Sequence, residues 1–309
     1  MSKNGAVRAT TPGCRWIDVQ NPTEQELLKL QRTYGFSRAN IQDILSPAQR
    51  PKMDVQTEFA FFAFRFPSAA RAKRGRASEL DVVLTHDTIL TFHGTDMAVV
   101  RALISDARLF EKKRQSIMGP GPAHVLYELL RALFDQVYTL SDEVARQTDQ
   151  LESQVFNPDV ERGDLILRIA QLRRRLLDYD KIAKPQTIFL QYCLGSAGRF
   201  ITHEEQHNWR SLIDTSESQL ELLETSLDVL NGISQSNDAL TTNHFNQTVR
   251  LLTIISVIFL PASFVLTILS NNIPGSPLEE TPTSFAIVLG ALIVVQAIFL
   301  WFLRRRRVI

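Results

Sequence analysis

Two charge-free apolar runs near the C-terminus, residues 251–270 and 285–303, constrain this chain more than any other feature. As helices rising about 1.5 Å per residue, each spans roughly 30 Å, the thickness of a bilayer's hydrocarbon core. The stretch between them, "NNIPGSPLEETP" at 271–282, is rich in Asn, Pro and Glu, so the pair reads as a membrane hairpin with a polar turn. A buried hairpin inside a large soluble protein is the alternative. Charge separates the two readings. Arg304, Arg305, Arg306 and Arg307 follow the second run, Arg250 precedes the first, and the turn holds no Lys or Arg. The positive-inside rule then places both chain ends in the cytoplasm, with the hairpin in the inner cell membrane. The first residues lack the apolar core of a signal peptide. Cys14 and Cys193 accordingly read as free thiols in a reducing compartment.

Of the 309 residues, roughly 250 lie outside the membrane module, enough for a domain with its own core. A net charge of +1, with Arg and Glu scattered throughout, leaves no nucleic-acid footprint. "CRWIDV" reads as a strand, and "PTEQELLKLQRTYG" as a helix with Thr23 and Glu26 spaced as a capping box and Gly35 at its end. "PKMDVQTEFAFFAFRFP", "ELDVVLT" and "TILTFHG" are β-rich, and the basic "SAARAKRGRAS" connects two of them. From Asp96 onward the pattern is helical. A hairpin of long helices breaks at "FNPD", and a further helix of some sixty-odd residues, roughly 100 Å, starts near His203 and meets no proline before Pro261. A helix of that length needs partner helices or sister subunits along it. The expected organisation is a flexible N-terminus (1–14), an α/β domain (15–120), a helical hairpin and stalk (121–248), a first span (249–270), an external loop (271–283), a second span (284–303) and a basic tail (304–309). The fold class is therefore an α+β cytoplasmic domain with a long helical stalk and two C-terminal transmembrane helices.

One motif points to metal chemistry. "HEEQH" fits H-E-x-x-H, in which His203 and His207, one turn apart on a helix, ligate zinc while Glu204 acts as base. A catalytic site needs a third ligand folded back on the same face, and the next histidine, His244, lies far along the same expected helix. The motif thus reads as a solvated helix start, with a surface metal site as the alternative. There is no P-loop, no G-x-S-x-G elbow and no cysteine pair at ligand spacing, so the chain does not read as an enzyme.

The stretch "NQTVRLLTIISVIFLPASFVLTILSNN", 246–272, resembles the pore helix of the CorA family of divalent-cation transporters. The "LTII" block, the "IFLP" proline and the Asn eleven residues after that proline match in register. "RPKMDVQTEFAFFAFRFP", "TILTFH" and "NWRSLIDTSESQLELLETSLDVL" are similar to other parts of such chains. The resemblance implies a funnel-shaped homopentamer in the lipid bilayer, two spans per subunit, the first lining a central pore. The family signature Gly-Met-Asn, or Gly-Ile-Asn in its zinc-transporting branch, is replaced here by Ser270, Asn271 and Asn272. Pro274 and Gly275 followed by acids resemble the zinc-type loop. No cofactor is implied beyond transported or regulatory divalent cations such as Mg²⁺ or Zn²⁺. Regulation in the family relies partly on a carboxylate after an Arg near the start of the long helix. Here Trp209, Arg210 and Ser211 stand at that place, with Asp214 nearby.

The residues themselves suit that role. Asn246, Thr253, Ser256, Ser263, Thr267 and Ser270 recur at helical steps within about a third of the circumference. Val249, Leu252 and Leu260 complete the expected pore lining, the two leucines as apolar constrictions. Ser and Thr can alternatively bond back to their own helix. Asn272, as a ring of amide oxygens, would accept hydrogen bonds from the water shell of a hydrated ion, an outer-sphere ligand. Glu279 and Glu280 read either as acids concentrating cations at the outer mouth or as ordinary loop acids. Arg250 and the terminal arginines set a basic inner mouth. The alternative function is a transport-deficient membrane protein that acts as a regulatory or interaction partner.

Overall fold

The computed structural model describes residues 6–46, 50–68, 77–157, 160, 162–196, 200, 201, 203–270 and 282–305. Six strands form one mixed sheet: β1 (Val7–Thr11), β2 (Cys14–Gln20), β3 (Lys52–Val55), β4 (Ala60–Pro67), β5 (Ala77–Leu84) and β6 (Thr88–His93), in the order β1-β2-β6-β5-β4-β3. All neighbours are antiparallel except β2 and β6, which run parallel with Trp16 opposite Ile89 and Asp18 opposite Thr91.

Residues 7–11 of the stretch expected to be flexible are β1. Thr11-Pro12-Gly13-Cys14 turns the chain back, with Gly13 at φ 83, the left-handed value that a type II turn requires after proline. The turn chemistry and the β-branched Val7, Thr10 and Thr11 were the available signals. The single β-rich run around 51–67 is a hairpin of two strands, β3 and β4, joined through Gln56 and Phe59.

Side-chain alternation divides the sheet's two faces. Ile17, Val19, Phe61, Val83, Leu90 and Phe92 pack with Leu27 of α1 (Glu24–Tyr34) and Ile41 of α2 (Arg38–Leu45). Both helices start at capping boxes, Thr23 with Glu26 and Ser37 with Asn40, and Gly35 ends α1 at φ 76. Each cap satisfies backbone donors that the first turn leaves open. The opposite face carries Trp16, Phe62, Phe64, Leu80, Val82 and Ile89. It packs under α3 (Ala98–Leu109), α4 (Glu111–Met118) and the long helices α5 (Pro122–Val155), α6 (Arg162–Ser196) and α7 (Glu205–Ser270). Because β4 is covered on both faces, its sequence is nearly all aromatic and apolar. Phe64 meets Phe189 edge-on at 5.5 Å, and Phe66 meets Phe134 at 5.3 Å.

Polar groups tie the long helices together where apolar packing alone leaves their register open. Gln219 Nε2 on α7 donates to the Phe134 carbonyl on α5 at 2.8 Å. Thr187 and Ser216 share a hydroxyl hydrogen bond at 2.5 Å between α6 and α7. Between β2 and β6, Trp16 Nε1 donates to Thr91, whose hydroxyl donates to Asp18 Oδ1 at 2.6 Å. The buried His93 ring sits between that carboxylate and the Gly94 carbonyl.

The chain divides into two units, Met1–Ser234 and Gln235–Ile309. The division falls inside α7, within the stretch read as stalk, and among the described residues none of that helix beyond Asn237 is buried. The second unit holds the rest of α7 and α8 (Pro282–Arg305).

Candidate functional site

Among the described residues, α7 is the one helix long and apolar enough to cross a membrane. The apolar side chains of its C-terminal part stand outward: Leu252, Phe259, Leu260 and Phe264 are each more than 60 % exposed in the single chain. A groove of about 560 Å³ runs between α7 and α8 within the second unit. Of the expected pore residues, Val249, Leu252, Thr253, Ser256 and Leu260 line it, together with Pro261 and with Val295, Gln296 and Phe299 of α8. Asn246, Ser263 and Thr267 lie on α7 outside this lining, with exposed side chains.

The hydroxyls on α7 bond back along their own helix. Thr253 donates to the Val249 carbonyl at 2.8 Å, Ser256 to Leu252 at 2.9 Å and Thr267 to Ser263 at 2.7 Å. This is the alternative that the sequence left open, and it satisfies each hydroxyl donor within its own helix. Among the described residues, a hydrogen bond between the two helices comes from a residue that sequence reading passed over. Gln296 Nε2 on α8 donates to the Ile258 carbonyl of α7 at 2.6 Å. A lone amide in an otherwise apolar run was the signal available.

The charged ends are only partly described. Arg250 is exposed, and the Arg305 guanidinium lies 5.2 Å from the Trp301 ring, an arrangement that suits a cation and an aromatic at a bilayer surface. The side chains of Ser270 and Arg304, and residues Asn271, Asn272, Glu279, Glu280, Arg306 and Arg307, lie outside the described residues.

In the first unit, HEEQH does not form a paired-histidine helix face. Helix α7 begins at Glu205, so His203 precedes it and bonds Gln206 at 3.0 Å, while His207 points to solvent. Glu205, the first residue of the helix, turns inward instead, 2.9 Å from His124 Nδ1 on α5. Among the described residues no three His, Cys, Asp or Glu side chains converge on a metal position. Trp209 is fully buried, whereas Arg210, Ser211 and Asp214 are exposed.

A second cleft, of about 340 Å³, opens where β5 begins and β6 ends. Glu79 and Asp81, two apart on β5 and so on one face, line it with Asp96. Burial, and after it the negative charge of Glu79, push the Asp81 carboxyl well above the usual carboxylate range. Burial likewise raises the Cys14 thiol to about 12.

An α+β domain, a set of long helices, and a helix pair with exposed apolar faces together define a protein built to meet both water and a bilayer. The chain belongs to the CorA family, described as "CorA-like Mg2+ transporter protein", which matches residues 12–305. It is 23% identical over 299 residues to the cobalt/magnesium transport protein CorA of Thermotoga maritima, covering 94% of this chain and 82% of that protein. It is 30% identical over 192 residues to the divalent cation transporter CmaX of Pseudomonas aeruginosa, covering 61% of this chain and 57% of that one. Its fold follows the complete structure of the CorA magnesium transporter from Methanocaldococcus jannaschii, with a TM-score of 0.78 and 21% identity, covering 95% of this chain and 90% of that one. The family consists of transporters and not enzymes.

Proposed function

We propose that the protein carries divalent cations across the inner membrane through the central pore of a funnel-shaped homopentamer, with α7 lining the pore, α8 as a second span and both chain ends cytoplasmic. The observation that carries this reading is the exposed apolar surface of α7 interrupted by a stripe of hydroxyls and Asn246. A face of that kind is stable only against lipid or against copies of itself, and a stripe repeated around a closed ring becomes a polar path. Neutral oxygens along such a path suit ions that keep their water shell, Mg²⁺ above all, since it dehydrates reluctantly. Asn272, which follows Ser270 and Asn271 in sequence, is the proposed outer-sphere filter, and Glu279 and Glu280 the acids of the outer mouth. Arg250 and Arg304 to Arg307 then face the cytoplasm.

The test is flux of Mg²⁺, Zn²⁺, Co²⁺ and Ni²⁺ into liposomes by purified protein whose mass in detergent has been measured. A pentamer carrying at least one of these ions is expected. Asn272→Ala should reduce flux by an order of magnitude or more without altering the oligomer, because each ring of oxygens is worth several hydrogen bonds to the hydrated ion. A stable monomer or dimer overturns the pore. A pentamer that passes no ion under any gradient overturns transport and leaves a regulatory role.

A further inference from the structure

Gln296 is the one amide side chain in the charge-free run 285–303. In hydrocarbon an amide without a partner costs several kcal/mol in general, so its hydrogen bond decides how the helix can sit. The partner is the carbonyl of Ile258 on α7, at 2.6 Å. Ile258 lies three residues before Pro261. Proline has no N–H, which removes the donor that the Val257 carbonyl would otherwise receive, and its ring crowds this same turn. Gln296, Val257 and Pro261 all border the groove between the two helices. A second helix thus supplies a donor to the carbonyl next to the one that Pro261 leaves without its intrahelical donor, and a donor from a neighbouring helix is one way that proline is tolerated in an apolar helix.

We infer that Gln296 is a positioning residue: a clasp from α8 that fixes the course of α7 through Pro261. The hydroxyls of Thr253 and Ser256 lie before that proline, and those of Ser263 and Thr267 after it. Holding the helix there keeps the two halves of the stripe in one register. Releasing it slows passage along the stripe without changing which oxygens meet the ion. The consequence for flux rests on the pore reading; the clasp itself does not.

The experiment uses full-length protein in lipid nanodiscs and compares the parent with Gln296→Met, Gln296→Leu, Pro261→Ala and Pro261→Ala/Gln296→Met. Met keeps the volume and loses the donor, so it isolates the hydrogen bond should Leu disturb packing. Amide hydrogen exchange is read by mass spectrometry over 252–262. Gln296→Met should speed exchange there by about two- to tenfold, the span of one interhelical hydrogen bond, while peptides from β4 and β5 stay unchanged. With Ala at 261 the ladder closes, and the same substitution should change exchange less than about twofold. In liposomes, Gln296→Met should lower the maximal flux and leave the half-saturating ion concentration within about twofold of the parent. Unaltered exchange over 252–262, or an equal effect with and without Pro261, overturns the clasp. Raised exchange with unaltered flux overturns the positioning role. Failure of the parent to carry any ion is a failure of the pore reading, and the exchange comparison still decides the clasp.

Discussion

Trp209 and Phe264 sit on the same helix and have opposite surroundings. Trp209 is fully buried among aromatic and aliphatic side chains of the first unit, whereas Phe264, in the second unit, is 67% exposed. Polar groups differ in part the same way. In the first unit several reach across elements, Gln219 to Phe134, Asp18 to Thr91, Glu205 to His124, although hydroxyls such as Thr148 and Ser226 there also bond back to their own helices. In the second, the hydroxyls bond within their own helix, and Gln296 makes the recorded link to a neighbouring one. The difference teaches that one helix meets two solvents. Where water is the alternative, apolar side chains gather inward and polar ones hold tertiary register; where hydrocarbon is the alternative, apolar side chains need no cover and backbone groups must be satisfied locally.

The largest effect should come from the residue that only the first environment can hold. Trp209→Ala removes a fully buried side chain and should cost about 3–5 kcal/mol in denaturant unfolding of the detergent-solubilised protein. Leu260→Ala, at a side chain 70% exposed, should leave that transition unmoved. Comparable losses in the two variants would break the comparison.

Next in size is the buried acid. The folded state raises the Asp81 carboxyl, so the contribution of that group to stability is fully present below the ordinary carboxylate range and falls as pH rises through the raised value. Asp81→Asn removes the charge that has to be buried beside Glu79, with Asp43 also near. Thermal unfolding followed from pH 5 to pH 9 should decline in the parent and stay flatter in the variant. A parallel decline in both would show that Asp81 is not the group responsible.

A smaller contrast compares hydroxyls. Thr23→Ala removes the side-chain cap of α1 and should cost about 1 kcal/mol, while Thr253→Val, whose hydroxyl merely returns to Val249, should change unfolding by less than about 0.5 kcal/mol. Smallest of all, the buried thiols should give no signal. Burial lifts Cys14 to about 12 and Cys193 higher still, so a thiol reagent at pH 8 should label neither until the first unit unfolds.

Local rules were the legible part of this chain. The spacing of Thr23 and Glu26, Gly35 after the last apolar turn, and the unbroken aromatic run of β4 each report an arrangement made by neighbours in sequence. So did the length of α7, since no proline interrupts it before Pro261. What escaped reading depends on partners far away. Glu205, at the start of α7, turns toward His124 on another helix; nothing within HEEQH tells that glutamate from Glu204. Asp81 and Glu79 look like any strand acids until β5 is laid beside β6 and α2. β1 was missed although its turn, Thr-Pro-Gly-Cys, is local, because five residues with one Arg make a weak alternating pattern. At the candidate site the polar stripe was visible, but Gln296 was not, since its meaning depends on which carbonyl of α7 it meets.

The two faces of the sheet have consequences for how the chain matures during synthesis. Everything that covers the α1 and α2 face, from Ile17 to Phe92, belongs to the first part made. The other face waits for Phe189, Leu190, Trp209 and Leu212. At about 5–20 residues per second, the roughly 120 residues from His93 to Trp209 take on the order of ten seconds to emerge. For that interval Phe62, Phe64 and Val82 lie on a half-covered sheet, a surface that invites holdase chaperones. It closes only when the ribosome is within some forty residues of the first apolar run, so that domain completion and delivery to the membrane become nearly simultaneous events.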